Sequence, residues 1–147
     1  MLHAKIIIGI GVLIGLLLIN KTKPDFLKAI LIGLSICYGL GYFAEFPIGT
    51  VAFMLFGILA LVFAIWCGKN NKWMGFIIGA FTFLSYVWMF LSYPYANELK
   101  LMMLIPIICY AWTLIKYRNY TKEISVLTIL VSYEISEFLI IIGTWIK

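Results

Sequence analysis

Two glutamates, Glu134 and Glu137, stand inside one long apolar run from Ile124 to Ile146. If that run crosses a bilayer, both lie near its midpoint, where a charged carboxylate costs about 2.5–3.5 kcal/mol on insertion scales. Residues at i and i+3 share a helix face, so the pair projects together on the side of Leu130 and Ile141. At about 100° per residue, Ser125, Thr128, Ser132, Ser136 and Gly143 fall roughly opposite. Two carboxylates this close repel when both are ionised, so either one carries a proton or both meet cations. The chemistry open to such a pair is a proton relay, an ion site or a catalytic acid. The structural alternative is a buried, hydrogen-bonded pair that fixes helix packing or a contact with another subunit. The chain offers few cations at this depth. Expected partners are therefore the hydroxyls of Tyr38, Tyr42, Tyr86 or Tyr110, or a cation from another subunit, a substrate or an ion.

Two further polar lines recur at helical spacing. Ser35, Tyr38, Tyr42 and Glu45 fall on one face of an apolar run, and Thr82, Ser85, Tyr86 and Tyr93 on a face of another. Facing each other, they would line an outward-opening polar cavity above Glu137, with Glu45, Tyr38, Tyr42, Tyr86 and Tyr110 as its walls or entry path. The bland use of the same residues is hydrogen bonding between helices.

Several chemistries lack their parts. The one histidine, His3, excludes a His-based metal cluster or bis-His haem ligation within the chain. Cys37, Cys67 and Cys109 are odd in number, show no CxxC spacing and read as small apolar filler. No Gly-rich phosphate loop, GxSxG or HExxH occurs. Neither a metal nor a cofactor is expected. The net charge of +5 is carried by residues scattered singly or in pairs between apolar runs, without the basic stripe that would suggest nucleic acid.

The elements that must position the glutamates follow from composition. Of 147 residues, 65% are hydrophobic and 12% charged, against roughly half and a quarter in soluble domains. A soluble core of this length could not hide that surface, whereas lipid solvates it. Spanning segments need about 20 apolar residues, and six candidates appear, at about 4–20, 26–44, 48–67, 73–93, 99–115 and 124–146. The expected fold is thus all-α: a polytopic transmembrane helix bundle of six spans, residues 1–147 forming one integral membrane domain. The first span resembles a signal peptide, but Asn20-Lys21-Thr22-Lys23 offers no small-x-small cleavage site, so it is expected to be retained.

Lys21, Lys23, Lys28, Lys69, Lys72, Lys116, Arg118 and Lys122 fall in alternate loops, and Lys5, Lys100 and Lys147 on the other side. The positive-inside rule then places those alternate loops in the cytoplasm and both termini outside. Trp66, Trp73, Tyr117 and Tyr120 mark one interface and Tyr93, Tyr95 and Trp145 the other. Gly11 and Gly15 form one GxxxG and Gly75 and Gly79 another, which with Ser132 and Ser136 suit close helix packing. Pro106 should remove a hydrogen bond from the fifth span and kink it.

Lys23-Pro24 before a span, Pro106-Ile107-Ile108-Cys109-Tyr110 and Ser136-Glu137-Phe138-Leu139 give the last third of the chain a resemblance to the lysoplasmalogenase (YhhN-type) membrane family. The resemblance implies a helical, multi-spanning hydrolase of ether lysolipids using Glu137 and Glu45. The family's acids are aspartates, and this chain is shorter, with fewer spans.

Taken together, the residues point first to a non-enzymatic subunit of a larger bacterial inner-membrane complex. Its partners would be the lipid bilayer and either other membrane subunits or further copies of itself, with Glu134 and Glu137 at a helix contact. The alternatives are a small proton- or cation-coupled transporter or channel using the same pair, and the lipid hydrolase that the resemblance implies.

Overall fold

A computed structural model describes residues 2–91, 98 and 100–146. The described residues contain helices and no strand. The main helices are α1 (Leu2–Leu17), α2 (Asp25–Phe43), α3 (Ile48–Lys69), α4 (Trp73–Phe90), α5 (Leu104–Ile115) and α6 (Ile124–Trp145). Short 3-10 segments, Ile19–Lys21 and Lys100–Met103, follow α1 and precede α5, and one helical turn, Tyr117–Tyr120, sits between α5 and α6.

Lipid has no water to satisfy backbone groups, so an apolar chain of this kind closes its hydrogen bonds within helices. Four of them, α2, α3, α4 and α6, are long and apolar enough to cross a membrane. The other two are shorter than the sequence suggests. α1 has 16 residues, about 24 Å at the helical rise, and ends at Leu17 rather than running on to Asn20. The segment expected as one helix over 99–115 is divided at Met103. Pro106 is the third residue of α5, inside the first turn, where its missing N–H has no intrahelical partner to lose. The proline follows the break instead of bending a continuous helix.

α6 is the hub. Val126, Leu127, Ile129, Leu130 and Val131 are all buried although they point in every direction around the helix, the mark of an element enclosed by others. Its hydroxyl-bearing face meets α1 through the first GxxxG. A Cβ at Gly11 would overlap the Ser132 side chain and approach the Thr128 carbonyl to 3.3 Å, and one at Gly15 would lie 3.0 Å from the Ser125 carbonyl. The second GxxxG performs the same service between α4 and α3, where Gly75 faces Cys67 and Gly79 faces Ala60 and Ala64. Small residues let helix backbones approach where lipid offers no hydrophobic drive for association.

The outer surface is apolar. Leu13, Leu17, Ile36, Ile58, Ile108 and Ile115 are all exposed, a surface that suits hydrocarbon better than water. Four long apolar helices and this surface are compatible with a membrane protein.

The two ends of the bundle differ. At one, the Lys23 N–H donates to the Lys122 carbonyl, Thr22 and Ser125 hydroxyls bond at 2.6 Å, the Lys21 ammonium lies over the Tyr117 ring, and Lys72 pairs with Glu123. The other end joins the start of α1 to the end of α2, where Lys5 reaches the Tyr42 carbonyl. Tyr93, Tyr95 and Lys147 lie outside the described residues.

Candidate functional site

The site is built on one face of α6. Tyr133, Glu137 and Ile140 recur at i, i+4 and i+7, so they share that face, and all three line a cavity of about 660 Å³. Tyr42 on α2, Thr50, Phe53 and Met54 on α3, and Tyr86, Met89 and Phe90 on α4 close it, with Ala4 and Lys5 from α1. The lining is mostly apolar and aromatic, with one carboxylate and one ammonium. That is the usual make-up of a small-molecule site, in which a few polar groups orient a largely apolar ligand.

Aromatic packing sets the walls. Tyr86 and Tyr133 stack with centroids 5.1 Å apart, and Phe56 packs against both. The Tyr133 hydroxyl lies 3.4 Å from that of Ser85, whereas the Tyr86 hydroxyl is buried without a hydrogen-bond partner among the described residues. Tyr42 packs edge-on against Phe53. Lys5 donates its ammonium to the Tyr42 carbonyl at 3.2 Å and lies over the rings of Tyr42 and Phe43, contacts that favour a cation beside an aromatic face.

The two glutamates have different surroundings. Glu137 is 8% exposed and faces the cavity. Glu134, one turn earlier, is 0% exposed, and neither of its oxygens has a hydrogen-bond partner among the described residues. The Thr82 hydroxyl of α4 lies beside it but donates to the Ile78 carbonyl at 2.9 Å. A buried polar group with few partners is costly, and Glu134 is such a group.

The cavity beside Glu137 is mostly apolar rather than the polar one expected, and Ser35, Thr82 and Ser85 do not line it. Tyr42 and Tyr86 line it with Glu137. Tyr38 stands beside it and donates its hydroxyl to the Lys5 carbonyl, which fixes α1 to α2. Tyr110 is elsewhere, bonded to the Thr128 hydroxyl at 2.7 Å. Glu45 follows the end of α2, is exposed, uses its carbonyl to cap the Gly49 N–H, and does not line the cavity. The Glu137–Glu45 combination implied by the lysoplasmalogenase resemblance is thus not assembled in this cavity. Ser132 and Ser136 turn their hydroxyls back to the carbonyls of Thr128 and Tyr133, leaving them as packing residues. Both carboxylates face the chain's own helices, because α6 is enclosed by them.

Lys5, at the outer end of the first span, is among the few cations that spacing places near the depth of the glutamates, and it contributes the cavity's cation. Two features escaped the sequence reading. Tyr133 went unnoticed, although its i, i+4 spacing to Glu137 was a usable signal. The other is the Lys72–Glu123 pair, 2.6 Å long with Glu123 1% exposed, which joins two loops and leaves no trace in local spacing. No protein-family model, no curated protein and no solved structure matches this chain.

Proposed function

We propose that this chain is a six-span protein of a cytoplasmic membrane that carries a small amphiphilic solute, coupled to protons or cations through Glu137 and Glu134. The observation that carries the reading is the placement of the pair: Glu137 on an open cavity and Glu134 one helical turn away, sealed between α6 and α4. Glu137 supplies the contact for a positively charged part of the solute or for a proton. Glu134, with the Thr82 hydroxyl beside it, exchanges a proton only when the helices around it shift. The aromatic walls suit an apolar solute body, and Lys5 suits an anionic part.

Six spans with both termini outside fit the gathering of Lys21, Lys23, Lys72 and Lys122 at one end, which the positive-inside rule assigns to the cytoplasm. α1 and α5 cross with the help of their 3-10 extensions. The subunit-contact reading has less support, since both carboxylates face inward. Lipid hydrolysis would require a second acid in the cavity, and Glu137 is the one acid among its lining residues.

The test is proton movement in proteoliposomes holding an entrapped pH dye, on addition of tetraphenylphosphonium or lysophosphatidylcholine. Wild-type protein is expected to move protons with at least one of them, and Glu137→Gln and Glu134→Gln to abolish the signal. Unchanged flux in both variants, or no flux in the wild type, defeats the reading.

A further inference from the structure

The end of the bundle opposite the Glu137 cavity holds a second cleft, of about 570 Å³. Lys23, Lys28, Lys72 and Lys122 line it, with Asp25 and Trp66. These lysines come from the first turn of α2 and from three loops far apart in sequence. The positive-inside rule requires charges in those loops but not their convergence, and like charges brought together repel. Lys69, Lys116 and Arg118 belong to the same loops and do not line the cleft.

The chain compensates this charge only in part. Lys72 is paired with Glu123. Lys28 has Asp25 at 3.4 Å, but that carboxylate is 98% exposed. Lys23 and Lys122 are held together by their backbones, and no ion pair to either is present among the described residues. Beside them, Trp66 packs against Phe26 with centroids 6.3 Å apart, and Phe26 is 42% exposed. A cationic floor next to an aromatic, partly exposed wall matches an anionic group joined to an apolar tail.

We propose that this cleft binds a phosphate group, presented by an anionic phospholipid of the adjoining leaflet. The headgroup occupies the space between Lys23, Lys28 and Lys122, and the acyl chains run along Phe26. Basic pockets between helices at a membrane surface recognise headgroups in this way. Lys72 contributes charge while staying bound to Glu123.

Native mass spectrometry of the whole chain in neutral detergent tests the proposal, with phosphatidylglycerol or phosphatidylcholine added, alongside melting curves in inorganic phosphate. Phosphatidylglycerol should bind more tightly than phosphatidylcholine. Each lysine near an anionic surface is worth about five-fold, so the triple variant Lys23→Gln/Lys28→Gln/Lys122→Gln should lose on the order of a hundred-fold. The charge-matched variant Lys69→Gln/Lys116→Gln/Arg118→Gln should keep wild-type binding. Equal losses in both variants, or no loss in the first, overturn the site. Stabilisation by inorganic phosphate with the same lysine dependence, but no preference for phosphatidylglycerol, overturns the lipid as its source. The lysines replaced are exposed or half-buried, and an unchanged melting curve of the apo variant shows that the bundle is intact.

Discussion

The Lys72 ammonium sits 2.6 Å from one oxygen of Glu123, whose other oxygen is buried without a partner among the described residues. The two ends of this pair are unequal, since the Lys72 side chain is 28% exposed and that of Glu123 1%. Removing the lysine strands a buried carboxylate, whereas removing the carboxylate's charge releases a lysine to solvent. Lys72→Met should therefore destabilise the protein by about 3 kcal/mol, and Glu123→Gln by about 1 kcal/mol or less. Chemical unfolding in detergent distinguishes them, and equal losses would contradict the asymmetry.

The same pair gives a pH dependence. Burial pushes the Glu123 carboxyl above the ordinary carboxylate range, and the bond to Lys72 and its charge pull it only part of the way back. A carboxyl that holds its proton more tightly when folded contributes stability that is complete below its unfolded value and lost as pH rises through its folded value. Melting temperature, followed from about pH 4 to about pH 7, should fall more steeply in wild type than in Glu123→Gln. A shallower fall in wild type would reverse the sign.

Gly11 of α1 packs so close to Ser132 of α6 that an added Cβ would overlap its side chain. Gly11→Ala should cost about 1–3 kcal/mol through overpacking, and adding Ser132→Gly should return part of that loss. Gly143 has open space where a Cβ would go, so Gly143→Ala should be neutral or stabilising by up to about 1 kcal/mol. Comparable losses at positions 11 and 143 would show that backbone freedom, not contact, sets the cost.

Glu134 separates stability from activity. A buried carboxyl with few partners costs free energy that an apolar side chain of similar volume avoids. Glu134→Leu should accordingly melt higher than wild type while moving no protons in proteoliposomes. A lower melting temperature would mean that the carboxyl is satisfied by contacts that strengthen the fold.

Much of this architecture was readable in the chain because hydropathy and helical periodicity are local properties. Asp25–Phe43, Ile48–Lys69 and Ile124–Trp145 begin and end within two residues of the apolar runs. The shared face of Glu134 and Glu137 and the small-residue face opposite them follow from spacing alone. What spacing cannot convey is which neighbour each face meets. Glu134 and Glu137 look equivalent in sequence, yet one is sealed and the other lines a cavity. Tyr110 and Glu45 carry plausible chemistry yet lie outside that cavity, because α5 turns Tyr110 toward Thr128 and the α2 helix stops before Glu45. Pro106 lies just past the point where the 3-10 segment Lys100–Met103 gives way to α5, a division that spacing alone does not show.

The central position of α6 has a consequence for biogenesis. It is the last of the six helices to leave the ribosome, yet it carries the largest share of the buried core. Until it is made, the other five helices leave an open slot bordered by Gly11, Gly15, Thr82 and Ser85. The bundle therefore closes only when its last, glutamate-bearing helix is in place.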